Sequence, residues 1–144
     1  APVYLGINSS VTYKRFNAGF VMRGSIGNYV YNNVFMQLGV INQAKLGAVP
    51  QNIHSSYLET GFLNKQELSD YYIQNGSFLR LDNINFGYDA GAIAKNVNLR
   101  ITANVQNVFL ITKYKGLDPE LTNGMDNNIY PRPRTFVLGV NLDF

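Results

Sequence analysis

Phe136, Leu138, Val140, Leu142 and Phe144 take every second position at the end of the chain, alternating with Val137, Gly139, Asn141 and Asp143. A period of two is the period of a strand, here with one apolar and one mostly polar face. From Phe136 to Phe144 there are eight rises of about 3.3 Å, roughly 27 Å, or about 20 Å of height at a tilt of about 40°, close to the apolar band of a transmembrane barrel. An alternating strand that ends on an aromatic residue is the usual closing strand of an outer-membrane barrel, with Phe144 as its assembly signal. An edge strand of a soluble sandwich alternates in the same way, so this run alone leaves both architectures open.

Four more runs carry the same period. Val3, Leu5, Ile7, Ser9, Val11 and Tyr13 alternate with small or polar residues, and Lys14-Arg15 separates them from Phe16, Ala18, Phe20 and Met22. Together they read as a hairpin with a short turn flanked by Tyr13 and Phe16, where a barrel carries its aromatic girdle. Between Gly76 and Tyr88 the parity changes: Leu79 and Leu81 belong to one phase, Ile84, Phe86 and Tyr88 to the other, which predicts either a bulge near Asp82-Asn83 or an upper half of the strand standing above the membrane. Asp89 to Asn96 reads as a turn. The fourth run is the cleanest, with Val97, Leu99, Ile101, Ala103 and Val105 on one side and Asn98, Arg100, Thr102, Asn104 and Gln106 on the other.

The expected strands are therefore about 3–13, 16–26, 78–88, 97–107 and 134–144, joined by loops at about 28–76 and 108–133. Within the first loop, Tyr29 to Val40 and Asn64 to Ile73 read as short helices, the second with Asn64 as N-cap and Glu67 three residues on. Loops above about 15 residues are uncommon in compact soluble domains, whereas a barrel alternates long extracellular loops with short periplasmic turns. Five strands, an odd number, do not close a barrel of the even-numbered kind, so other residues must supply most of the wall. The segment from Ala1 to Ile7 lacks the basic and apolar regions of a signal peptide, and the expectation is that a signal was removed or that the chain is a piece of a longer one.

Composition agrees with strands facing lipid on one side and water on the other. Charged residues make up 15% of the chain, against about 25% in typical soluble domains. There are 10 Tyr and 9 Phe but no Trp, and the formal charge of +3 is scattered, which gives no nucleic-acid footprint. No apolar run approaches the 18 residues of a transmembrane helix. With no Cys, disulfides and thiolate metal sites are excluded.

No catalytic constellation or cofactor site emerges. His54 is the single histidine, which leaves a His-based triad or metal cluster without members. Glu59, Glu67 and Asp70 have no fixed separation of the kind a glycosidase pair needs. Asp118, Glu120 and Asp126 with Asn123, Asn127 and Asn128 lack the spacing of a calcium loop and read as turn-forming Asx residues. Tyr57, Tyr71, Tyr72 and Tyr114 are candidates for stacking on sugar rings, with loop packing as the alternative. Arg23, Arg100 and Asp143 fall on the polar faces of their strands, where a lumen position would spare a charge the cost of lipid.

Three stretches resemble one family. Gly76-Ser-Phe-Leu-Arg-Leu with Gly87-Tyr88, Val105-Gln-Asn-Val-Phe with Thr112-Lys-Tyr-Lys-Gly-Leu-Asp-Pro-Glu120, and Tyr130-Pro-Arg-Pro-Arg-Thr with the terminal Phe144 resemble the C-terminal end of the SusC/RagA-like TonB-dependent transporters of Bacteroidetes outer membranes. The resemblance is close over about residues 76–144, while Gly6 to Asn32 is similar in pattern only. It implies an all-β fold in which these are the last five strands of a 22-stranded barrel closed by a plug, a recognised transporter architecture. It also implies a multi-pass outer-membrane protein, not an enzyme, importing oligosaccharides or peptides with a SusD-like surface lipoprotein. Energy would come from TonB acting on a plug that these residues do not include. The apolar set Val97, Leu99, Ile101, Ala103, Val105, Phe136, Leu138, Val140 and Leu142 would then face lipid. The polar set Arg23, Asn98, Arg100, Thr102, Asn104, Gln106, Asn141 and Asp143 would face the lumen, toward plug or substrate. The rival readings are a soluble β-domain that binds carbohydrate through its aromatic loops and a passive, plug-free porin-like barrel.

Overall fold

The computed structural model describes residues 1, 3–45, 51–95, 97–127 and 129–143. The chain divides into two units. One is a sheet formed by Ala1–Ile26, Phe78–Thr112 and Arg132–Phe144, and the other is built from the two long connections, Gly27–Ser77 and Lys113–Pro131.

The sheet holds β1 (Val3–Tyr13), β2 (Phe16–Ile26), β5 (Phe78–Ala94), β6 (Val97–Thr112) and β7 (Thr135–Asp143), all antiparallel, in the order β1-β2-β5-β6-β7. Its two outer strands are long and pair on one side only. The β1–β2 turn has Lys14 at φ 55°, the left-handed region that two-residue hairpins use. Among the described residues no helix is long and apolar enough to cross a membrane, which says nothing about strands.

The register shift lies between Leu81 and Asn83, at the parity change of the sequence, so of the two readings the bulge is the one the ladder shows. Asp82 is the extra residue of β5 against the Val21–Met22 step of β2. The bulge turns Leu79 and Leu81 onto the same face as Ile84, Phe86 and Tyr88.

Two strand ends differ from the sequence reading. β5 does not turn at Asp89 but continues to Ala94 through further register shifts at Asp89/Gly91 and Ala92/Ala94. There the Asp89 carboxylate accepts the Gly91 N–H at 2.9 Å, with Gly91 at φ 73°. Arg15 anchors the same stretch, its carbonyl accepting from the Asp89 N–H at 2.8 Å. Turn chemistry here makes bulges within a ladder rather than ending it. Likewise β6 runs five residues past Asn107, because Phe109 and Ile111 pair with Leu81 and Leu79.

The second unit holds more structure than its sequence announces. β3 (Tyr29–Tyr31) and β4 (Ile73–Asn75) pair as a two-stranded ladder, and β3 also bonds to the other connection through Tyr31 and Gly124–Asp126. α1 (Asn33–Leu38) is capped by Asn32, whose side chain accepts the Phe35 N–H. It is followed by α2 (Ile41–Ala44) and α3 (Tyr57–Thr60). The expected helix from Asn64 is only a 3-10 turn, Asp70–Tyr72, capped by Ser69. Asn64 spends its side-chain oxygen on Asn42, at 2.5 Å, so it caps nothing. Phe35, Met36 and Tyr72 form the core of this unit, with Tyr31 packed against them.

Candidate functional site: two sheet faces and a folded loop unit

Residues directly opposite in a ladder share a face. Val105 stands between Ile84 and Phe136, Ala103 between Phe86 and Leu138, and Ile101 between Tyr88 and Val140. Phe20, Ala18 and Phe16 continue these rows on β2. The apolar positions of the sequence thus merge into one apolar surface across the sheet, with Val97 and Leu99 in phase on β6 and Leu142 opposite Leu99. That surface is bare: Phe136 is 71% exposed, Leu138 83% and Val140 65%. Near the β1–β2 turn the rings cluster, with Phe16 4.7 Å from Tyr88 and 5.8 Å from Phe86. Phe144 lies outside the described residues.

The opposite face collects the polar set. Asn98 lies opposite Asp143, Arg100 between Asp89 and Asn141, Thr102 between Gly87 and Gly139, and Gln106 between Asn83 and Thr135. Asn104 accepts from the Asn83 amide at 3.1 Å. Glycines make room for these side chains to lie flat. A Cβ on Gly139 would come within 2.6 Å of Thr102 Oγ1, and one on Gly87 would collide with the Asn17 amide.

Arg23 and Arg80 are register partners, an unfavourable juxtaposition of like charges. The bulge answers it. Asp82 reaches Arg23 Nε at 2.6 Å, and Arg80, only 2% exposed, donates to Asn107 Oδ1 at 2.9 Å with its guanidinium over the Phe78 ring. Asn107 sits at φ 52° and sends its amide to the Arg132 carbonyl at 2.8 Å. Neither Asp82, Arg80 nor Asn107 stands out as a site residue in the sequence; the one available signal is an Asn where an alternating strand breaks phase.

In the loop unit, Tyr114 donates to Asp126 Oδ2 at 2.6 Å, both side chains buried. Burial first, then the hydrogen bond to Asp126 and its charge, push the Tyr114 hydroxyl far above its ordinary range. Gly116 packs on that ring so closely that a Cβ would overlap it. Asp118 accepts the Glu120 N–H and Asn123 the Met125 N–H, both Asx turns. Tyr72 and Tyr114 are 2% and 6% exposed, so these two stacking candidates are spent on packing. Tyr71 packs edge-on against Phe62 and Tyr72. His54 stacks on Phe35 with centroids 4.3 Å apart, and its Nδ1 accepts the Ser56 N–H. Both rings line a cavity of about 330 Å³ between the two connections. Lys115, exposed, meets Glu59 at 2.9 Å, and that carboxylate raises its ammonium above the usual lysine range.

No known family profile matches the sequence. The TonB-dependent receptor SusC of Bacteroides thetaiotaomicron is 39% identical over a 150-position alignment that covers 99% of this chain and 15% of the relative. The TonB-dependent receptor P3 of Formosa agariphila is 27% identical, with 97% and 16% covered. The chain thus spans about a sixth of the length of these relatives. Among solved structures, the RagAB peptide importer in its closed-closed state superposes with a TM-score of 0.72 at 23% identity, covering 98% of this chain and 17% of that one. In its open-open state the TM-score is 0.70 at 24% identity. Over nearly its whole length, then, the chain is a homologue of the TonB-dependent receptor SusC, and its antiparallel sheet matches the barrel fold of the SusC/RagA-like TonB-dependent transporters.

Proposed function

We propose that this chain forms part of the barrel wall and two extracellular loops of an outer-membrane importer of oligosaccharides or peptides, working with a SusD-like lipoprotein and energised by TonB through a plug. The observation that carries this reading is the bare apolar surface running across all five strands, flanked by two long unpaired edges. Such edges are templates for aggregation unless further strands complete them, as closure into a barrel does. In this reading Val97, Leu99, Ile101, Ala103, Val105, Phe136, Leu138, Val140 and Leu142 contact lipid. Arg23, Asn98, Arg100, Thr102, Asn104, Gln106, Asn141 and Asp143 line the lumen, toward plug or substrate.

The glycine-spaced polar face also suits a wet interior holding a plug. The soluble carbohydrate-binding alternative loses support from the burial of Tyr72 and Tyr114. Two single substitutions in the whole transporter, Val140→Cys and Asn141→Cys, labelled in native membranes, test the assignment of faces. The thiol of V140C should resist a water-soluble maleimide and react with a lipid-soluble one, and that of N141C should behave in the opposite sense. Equal aqueous labelling of both would refute it. Uptake should also stop when TonB is deleted, and uptake that persists would favour a passive barrel.

A further inference from the structure

The apolar face of the sheet is not evenly covered. A groove of about 430 Å³ runs along it, with Val11 and Ala18 at one end, Ser9, Phe20 and Ile84 along its middle, and Met22, Leu81 and Phe109 at the other. Its form follows from the register. Ser9 faces Phe20 and Val11 faces Ala18, so small side chains sit beside large ones, and the bulge at Asp82 brings Leu81 level with Met22 and Phe109.

We propose that this groove is a binding site for one acyl chain of a membrane glycerophospholipid whose headgroup lies at the short-turn end of the strands. The proposal rests on the lipid-facing reading of this face. At about 430 Å³ the groove has room for a segment of hydrocarbon chain and not for a whole lipid. Among its described lining the one polar side chain in the phase of this face is Ser9, Ser10 being in the other phase, and the lining contains no charge. A peptide segment or a second copy of the chain would bring backbone N–H and C=O groups that this lining does not pair; a hydrocarbon brings none. Ala18 and Val11 lie toward the Tyr13–Phe16 turn and the bulkier Met22, Leu81 and Phe109 close the far end, so a chain enters from the turn side. There the Tyr13, Phe16 and Tyr88 rings mark the interface with the headgroups.

The test uses the intact transporter, purified in mild detergent and washed free of loosely held lipid. Native mass spectrometry should find about one retained phospholipid per transporter, reduced at least tenfold by Ala18→Phe, which fills the groove, and unchanged by Val140→Phe on the same face. Equal retention in A18F, equal loss in V140F, or a retained lipid that is a glycolipid would overturn the assignment. Should A18F not assemble, Phe109→Trp and Val140→Trp in vesicles with brominated phospholipid decide. Saturable quenching at residue 109 that survives dilution with unlabelled lipid, against freely exchanging quenching at residue 140, is the expected result. Quenching that exchanges equally at both sites refutes the groove alone, and quenching at neither refutes the lipid-facing reading beneath it.

Discussion

Val140 lies midway along the expected span from Phe136 to Phe144, 65% exposed, opposite Ile101. Its neighbour Asn141 is on the other face, opposite Arg100. Val140→Arg therefore places a guanidinium near the bilayer midplane, at a cost of about 2–4 kcal/mol, a factor of about 30–700 in the folding equilibrium. Asn141→Arg points the same group into the wet interior and should cost under about 0.5 kcal/mol, the ordinary range for a solvated substitution, plus a small repulsion from Arg100. In a soluble sheet with this face open to water, both changes would be nearly neutral. Reversible urea unfolding of the whole transporter in lipid vesicles, followed by the heat-modifiable shift of the folded barrel on a gel, reads the difference directly. Equal destabilisation by the two arginines, or none from V140R, would refute the facing on which the functional proposal stands.

Gly87→Ala should lower stability by about 1–3 kcal/mol by forcing the Asn17 amide away, whereas Gly6→Ala, with open space around it, should be tolerated; denaturant midpoints compare them. Asn107→Leu should cost about 2–4 kcal/mol, since it leaves the buried Arg80 without that acceptor and puts a γ-branched residue at φ 52°, and the same unfolding assay measures it. Tyr114→Phe should cost the loop unit about 1.5–3 kcal/mol, seen as faster proteolysis within 113–131 with the strands intact. The pH dependence has a definite sign: with the folded Tyr114 hydroxyl raised above its unfolded value near 10, its contribution is complete below about pH 10 and declines as pH rises above that. The protection of this loop against hydrogen exchange, taken relative to the base-catalysed intrinsic rate, should therefore fall above about pH 10 in the wild type and not in Y114F; an equal fall in both would reject the assignment.

The sheet was legible because its chemistry is repeated. Val97 to Val105 and Phe136 to Leu142 state one face five and four times over, and a barrel wall uses that face alone. The bulge was legible as one of two readings: the phase change between Leu81 and Ile84 is met either by an extra residue or by a strand whose upper half leaves the membrane, and the register shift at Asp82 shows the first. What stayed hidden depends on contacts distant in sequence. The extension of β5 past Asp89 relies on Arg15, and that of β6 past Asn107 relies on Leu79 and Leu81. Locally both places read as turns because Asp, Gly and Asn favour turns. The loop unit was the least legible part: Asn64 has the form of an N-cap, yet its oxygen is taken by Asn42 from 22 residues away. Tyr114, a stacking candidate by residue type, is a packing element by virtue of Asp126 and Gly116.

The Asn107 side chain has a consequence for strand phasing. It holds the carbonyl of Arg132 at 2.8 Å and lies within 3.4 Å of that of Pro133, immediately before β7 begins. The residues of β7 themselves discriminate weakly against a slip, because Val137 is apolar and Gly139 is indifferent to its surroundings. A displacement by one residue would carry Leu138, Val140 and Leu142 onto the polar face of the sheet and Asn141 and Asp143 onto the apolar one. Tied to Arg80 on one side and to the backbone ahead of β7 on the other, Asn107 works as a registration pin. It fixes the backbone just ahead of β7, so a one-residue slip costs this contact in addition to the exchange of faces.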